Sequence, residues 1–93
     1  MPLTFEWDEL KARSNLGKHG VSFEEAATIF SDRLSLTIPD PEHSITEERH
    51  ITLGRALTRK LLVVVHTDRG DNIRVISARR ASRRERKFYE EGT

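Results

Sequence analysis

Residues 60–67 constrain this chain more than any others: Leu61-Leu62-Val63-Val64-Val65 is its longest apolar run, opened by Lys60 and closed by His66-Thr67. That run is too short to span a membrane. A short segment that is apolar on both faces reads as a strand at the centre of a sheet, and its neighbours follow from that placement. Residues 49–55 set Arg49, Ile51 and Leu53 on one face and His50 and Thr52 on the other, which predicts a half-buried strand. Thr67-Asp68-Arg69-Gly70-Asp71 predicts a hairpin turn, with Gly70 supplying the positive φ, and the chain returns as a strand over residues 72–78. A further strand is expected where Leu34, Leu36 and Ile38 alternate, before Pro39-Asp40-Pro41 stops it. The acidic stretch containing Asp40, Glu42, Glu47 and Glu48 reads as a solvated loop.

Helices are expected at both ends. Asp8 is a good N-cap for Glu9-Leu10-Lys11-Ala12-Arg13, and Gly20 suits the left-handed position that closes a helix. Ser22 and Glu25 have capping-box spacing, and Phe23, Ala26, Ala27 and Phe30 recur on one face of the helix that follows. Ser82 and Glu85 repeat the capping pattern before a short C-terminal helix through Tyr89. The fold class is therefore α+β: two N-terminal helices, an antiparallel sheet of three to four strands and a short C-terminal helix. Trp7, Phe5, Phe23 and Phe30 are core candidates. No linker divides residues 1–93, so one domain is expected. The absence of cysteine excludes disulfides, thiol catalysis and Cys-based metal sites, and suits a reducing cytoplasm. The N-terminus resembles no export signal, and a cytoplasmic, non-membrane protein is expected.

A net charge of +1 conceals a strong asymmetry. Residues 1–50 carry ten acids and five bases, while residues 51–93 carry eleven bases and five acids. Within the second half the bases condense at Arg74, Arg79, Arg80, Arg83, Arg84, Arg86 and Lys87, with Glu85 the only acid among them. This is the pattern of an anion-binding surface rather than of a solvated helix face, on which both signs alternate.

Such a surface suits RNA, whose own 2′-oxygen can attack the adjacent phosphorus without a metal. The protein must then move two protons and stabilise charge on the phosphoryl oxygens. Arginine forks match phosphate, and histidine suits proton transfer. His66 ends the central strand, and the hairpin brings it roughly opposite residues 72–74. By simple alternation Arg74 and Arg80 share one side of the returning strand and Arg79 takes the other. A buried, satisfied strand-end histidine is an equal reading of His66. His19 beside Lys18 reads as a helix-end cation. Glu42-His43 and Glu48-His50 lack metal-ligand spacing, and no cofactor is expected.

Four blocks carry a family resemblance: Phe5-Glu6-Trp7-Asp8, the stretch from Lys18 to Ala26, that from Glu48 to Gly54, and above all that from Ile76 to Arg86. In order along nearly the whole chain, they resemble the BrnT toxins. The resemblance implies a RelE-like fold, metal-independent endoribonuclease activity that inhibits translation, and a BrnA-type antitoxin partner. It implies too a toxin–antitoxin heterotetramer that reaches operator DNA only through the antitoxin. From the matching blocks it points to Arg49, Arg79 and Arg80 as active residues. His66 joins them as catalytic by the chemical argument alone; Lys60, Tyr89 and Lys18 are its substitutes. Lys18, Arg74, Arg83 and Arg84 are expected to bind RNA. Two other classes compete: a nucleic-acid-binding module without catalysis, and a module that only binds its antitoxin.

Overall fold

The computed structural model describes residues 3–43 and 47–92. Along the chain run β1 (Thr4–Glu6), α1 (Glu9–His19), α2 (Phe23–Ala27), a 3-10 turn (Thr28–Ser31), β2 (Leu36–Pro39) and a second 3-10 turn (Pro41–His43). Then come β3 (Arg49–Arg55), β4 (Leu61–Arg69), β5 (Asn72–Arg80) and α3 (Arg83–Glu91). The sheet is five-stranded, in the order β1-β5-β4-β3-β2. β4 is central, antiparallel to β3 on one side and β5 on the other. The sheet is mixed and larger than the three or four antiparallel strands expected, because β1 adds to the β5 edge in parallel. Three residues carry no legible period, and β1 is held by long-range contacts: the Thr4 hydroxyl bonds the Asp71 carbonyl at 3.3 Å and the Asn72 side chain.

Local chemistry explains the helix ends. Asp8 accepts from the amides of Leu10 and Lys11, and Gly20 closes α1 at φ 69°. Ser22 accepts from the Glu25 amide. The Glu25 carboxylate does not complete the box; it meets the Thr58 hydroxyl and lies 3.4 Å from Lys60 Nζ. α2 is shorter than expected, because the chain tightens into the 3-10 turn that drives Ile29 fully into the core. Asp40 is buried, where the sequence suggested a solvated loop. Residues 44–46 of that loop lie outside the described residues.

The sheet separates two apolar clusters. One face is covered by α1, α2 and the 3-10 turn after it, where Val21, Phe23, Ala26 and Ile29 pack on Leu62, Val64, Val75 and Ala78. The other carries Leu53, Leu61 and Val63, against which α3 places Tyr89. Tyr89 is fixed at both ends: its hydroxyl donates to Asp32 Oδ2 at 2.6 Å, and the Arg55 guanidinium lies 5.5 Å from its ring centroid.

One irregularity in the β4–β5 ladder decides where the arginines point. The two strands pair Arg69 with Asn72 across the Gly70-Asp71 turn, and His66 with Val75. The next pair is Val65 with Ser77, so Ile76 is an extra residue on β5. A β-bulge of this kind shifts the alternation by one. Beyond it Arg79 pairs with Val63 and Arg80 with Leu62. Arg79 thus shares the α3 face with Arg74, and Arg80 lies on the helix-covered side, the reverse of the grouping expected from simple alternation.

β1 accompanies β5 only as far as Arg74, and beyond that point a side chain takes over the pairing. The Asn15 amide, buried on α1, donates to the carbonyls of Ala78 at 2.8 Å and Val21 at 3.0 Å, and its oxygen accepts from the Ala78 amide at 3.1 Å. Asn15→Ala would strip these partners from buried backbone groups, at about 1–3 kcal/mol for each group left unsatisfied. Urea denaturation should show a lower midpoint with an unchanged slope. A midpoint equal to wild type would mean that water replaces the amide without loss.

Candidate active cleft

α3 covers only part of its face of the sheet, and the remainder is the floor of an open cleft of about 360 Å³. Ile51, Val63, Val65 and Ser77 form the floor; Ile38, Asp40 and Glu42 stand on one side, and His19, Arg79 and Glu85 on the other. A smaller apolar recess of about 130 Å³ continues it toward α3, bounded by Leu36, Leu53 and Phe88. Ile38 and Phe88 are 56% and 62% exposed, so an apolar strip borders the cleft.

Arg79 is the fixed cation of this surface. Its Nη1 and Nη2 each donate to one Glu85 oxygen at 2.8 Å. The Glu85 carboxylate also accepts from the Ser82 amide at 2.7 Å, while the Ser82 hydroxyl accepts from the Glu85 amide at 3.2 Å, completing the capping box of α3. Hydrogen bonding to Arg79 lowers the Glu85 pKa to about 2, and the same pair raises that of Arg79.

The other expected residues divide by place. Arg49 shares the Arg79 face, opposite Thr67 on β4, which in turn pairs with Arg74. This row lies roughly 13 Å from Arg79, four residues along β4 at about 3.3 Å each. Arg74 donates to Glu6 at 2.8 Å, and Arg49 Nε lies 3.6 Å from Glu47. Lys18 borders a shallow depression that shares His19 and Ser77 with the cleft. Arg80, Arg83 and Arg84 are exposed and lie outside the cleft lining. Lys60 pairs with Glu25, and Tyr89 is buried against Asp32; desolvation, then the Asp32 carboxylate, raises the phenol pKa.

The structure does not bring His66 together with Arg79. It points to the opposite face, edge-on to Phe30 at 4.9 Å and stacked 5.8 Å from His50. Its Nε2 lies 2.7 Å from the Thr52 hydroxyl, which is 2.8 Å from that of Thr37. Its Nδ1 has no hydrogen-bond partner among the described residues. Burial, and then the neighbouring His50, push its pKa down to about 4. The side chain is therefore a neutral core imidazole at pH 7. The histidine on the cleft is His19, which beside Lys18 in the sequence reads as a helix-end cation; only the fold places the last turn of α1 beside the distal half of β5. Among the described residues no cluster could hold a metal ion, and no helix is long and apolar enough to cross a membrane.

The profile of a family described as "Ribonuclease toxin, BrnT, of type II toxin-antitoxin system" matches residues 7–85. Among solved structures, the 1.1 Å crystal structure of the Brucella abortus ribonuclease toxin BrnT superposes with a TM-score of 0.68 and 25% identity, covering 88% of this chain and 100% of that one. A search of curated proteins gives no match.

The core imidazole sets a pH dependence. The His66 pKa is lower in the folded chain, about 4, than the ordinary value of 6.5, so below pH 6.5 the unfolded chain binds the proton first. This contribution to stability is complete above pH 6.5 and is lost as pH falls to about 4. The carboxylate Glu85, with its depressed pKa, loses its own contribution only below about 4.5. The Tm of wild type should fall between pH 6.5 and 4.5, and that of His66→Gln should stay nearly flat over the same interval. Parallel curves would show that the imidazole is not the titrating group.

Proposed function

The chain belongs to the BrnT family of ribonuclease toxins of type II toxin–antitoxin systems, and from that premise we propose that the uncovered sheet face is its RNA-cleaving site. The observation that carries this reading is Arg79, held rigidly on the wall of an open cleft with His19 on the same side. RNA supplies its own nucleophile. A base removes the proton of a 2′-hydroxyl, the 2′-oxygen forms a bond to phosphorus, the bond to the 5′-oxygen breaks, and an acid protonates that oxygen. The products are a 2′,3′-cyclic phosphate and a 5′-hydroxyl, with no metal in the scheme.

Arg79 has the part of stabilising the phosphorane, a permanent cation directed at charge that grows in the transition state. Arg49 and Arg74, on the same face but farther along the strands, suit flanking phosphates, since about 13 Å covers more than one nucleotide step. Lys18, on the neighbouring depression, and Arg80, Arg83 and Arg84, exposed outside the cleft lining, draw RNA toward the cleft without touching the reacting bond. The proton-transfer part goes to His19, an imidazole that can give and take a proton, and not to His66 behind the sheet. The antitoxin, a BrnA-type protein assembled with the toxin as a heterotetramer, would lay an apolar segment with acidic flanks over Ile38, Phe88 and the arginines, and would supply the contacts to operator DNA.

Single-turnover cleavage tests the assignment. At saturating RNA, Arg79→Ala should lower the rate by roughly 10²–10³ and His19→Gln by on the order of 10²–10⁴. Arg80→Ala should weaken binding and reduce the salt slope by about one, with cleavage of bound RNA largely kept. His66→Gln should cleave near the wild-type rate wherever it is folded, and a chelator should change nothing. Intact RNA, bound tightly by wild type, would replace catalysis by binding alone. A second measurement addresses masking: the purified toxin–antitoxin complex should cleave far more slowly than free toxin, and equal rates would put the partner elsewhere.

A further inference from the structure

The geometry points to Glu85 as a positioning residue that fixes the Arg79 fork so that one edge of it is left for phosphate; this rests on the assignment of Arg79 proposed above. A guanidinium has five N–H donors in one plane, arranged on an end edge and a side edge. Glu85 takes the end edge, its Oε1 and Oε2 each 2.8 Å from Nη1 and Nη2. The remaining Nη1 hydrogen faces the Arg80 carbonyl at 3.3 Å. What is left is the side edge, the Nε hydrogen and the second Nη2 hydrogen, for which no partner occurs among the described residues. That edge offers two parallel donors, the arrangement that matches two phosphoryl oxygens.

The clamp is itself anchored. Glu85 Oε1 also accepts from the Ser82 amide, and the Ser82 hydroxyl caps α3 in return. α3 is seated on the sheet by Tyr89, so the arginine is tied through one carboxylate to a packed helix instead of relying on its own flexible stem. Surface arginines pay rotamer entropy to hold one pose; here the pose is set before RNA arrives. A carboxylate with a pKa near 2 is too weak a base to take the 2′ proton, which leaves holding the arginine as its role.

Three variants separate this role from its alternatives. Glu85→Gln preserves the cap, because glutamine serves at that position of a capping box, but it loses the charge and one acceptor of the fork. We expect Tm close to wild type, kcat lower by about 10–100-fold and KM changed less than about threefold. Simple electrostatics predicts the opposite, tighter RNA binding with unchanged kcat, because an anion beside the cleft is gone. Ser82→Ala weakens the cap but keeps the backbone amide that holds Glu85 Oε1, so it should lower Tm with a smaller change in kcat than Glu85→Gln. In an Arg79→Ala background, Glu85→Gln should cause no further loss, since its effect passes through the arginine. Wild-type kcat in Glu85→Gln beside an impaired Arg79→Ala would overturn the inference and leave the assignment of Arg79 standing. A further loss in the double variant would also overturn it, and wild-type kcat in Arg79→Ala would remove the premise.

Discussion

The amide of Asn15 does for this molecule what a strand would otherwise do. Past Arg74 the outer edge of β5 has no β1 beside it, yet Ala78 sits in the core and its peptide groups need partners away from water. One side chain supplies both a donor and an acceptor to Ala78 and uses its second donor on Val21, where the chain leaves α1 for α2. Three elements are thereby joined at a point one residue before Arg79. The end of β5 is consequently rigid, and His19, one helical turn beyond Asn15, is carried to the cleft by the same attachment.

Covering the two sides of the sheet unequally has a chemical result. The side under α1 and α2 is dry enough to keep an imidazole neutral, with Phe30 against it and a chain of hydroxyls from Thr52 to Thr37 to satisfy one nitrogen. The side under α3 is short of cover, because a nine-residue helix cannot span the width of the sheet. Ile51 and Val65 stay only half-buried there, with Arg79 exposed beside them. Partition by the sheet thus turns residues that are neighbours in sequence into groups with different chemistry.

Much of this was legible in the sequence. The bounds of β3, the central position of β4, the Asp8 and Gly20 ends of α1 and the capping box at Ser82 all follow from short-range rules, and each is present. What escaped depends on distant contacts. β1 is too short to declare itself, Ile29 enters the core only because α2 tightens, and Asp40 is buried by a fold that local polarity cannot reveal. His66 illustrates the limit best: its place at a strand end was readable, but which face would be covered was not. The arginines were recognised as a group from charge alone, whereas the histidine that accompanies them had to wait for the packing of α1.

The extra residue at Ile76 gives the paired arginines a further meaning. A strand is a two-stroke pattern, and a tandem pair of cations at its end delivers one to each side whatever the phase. Phase decides only which of them meets the carboxylate on α3. Were β5 at its present length to run without the bulge, Arg80 would fall opposite Leu61, turned toward Glu85 in the place of Arg79, with its backbone one step farther along. The doublet therefore makes the cleft's charge tolerant of a one-residue slip of the ladder, whereas the exact reach from backbone to Glu85 is not, and it is in that reach that such a slip would be felt.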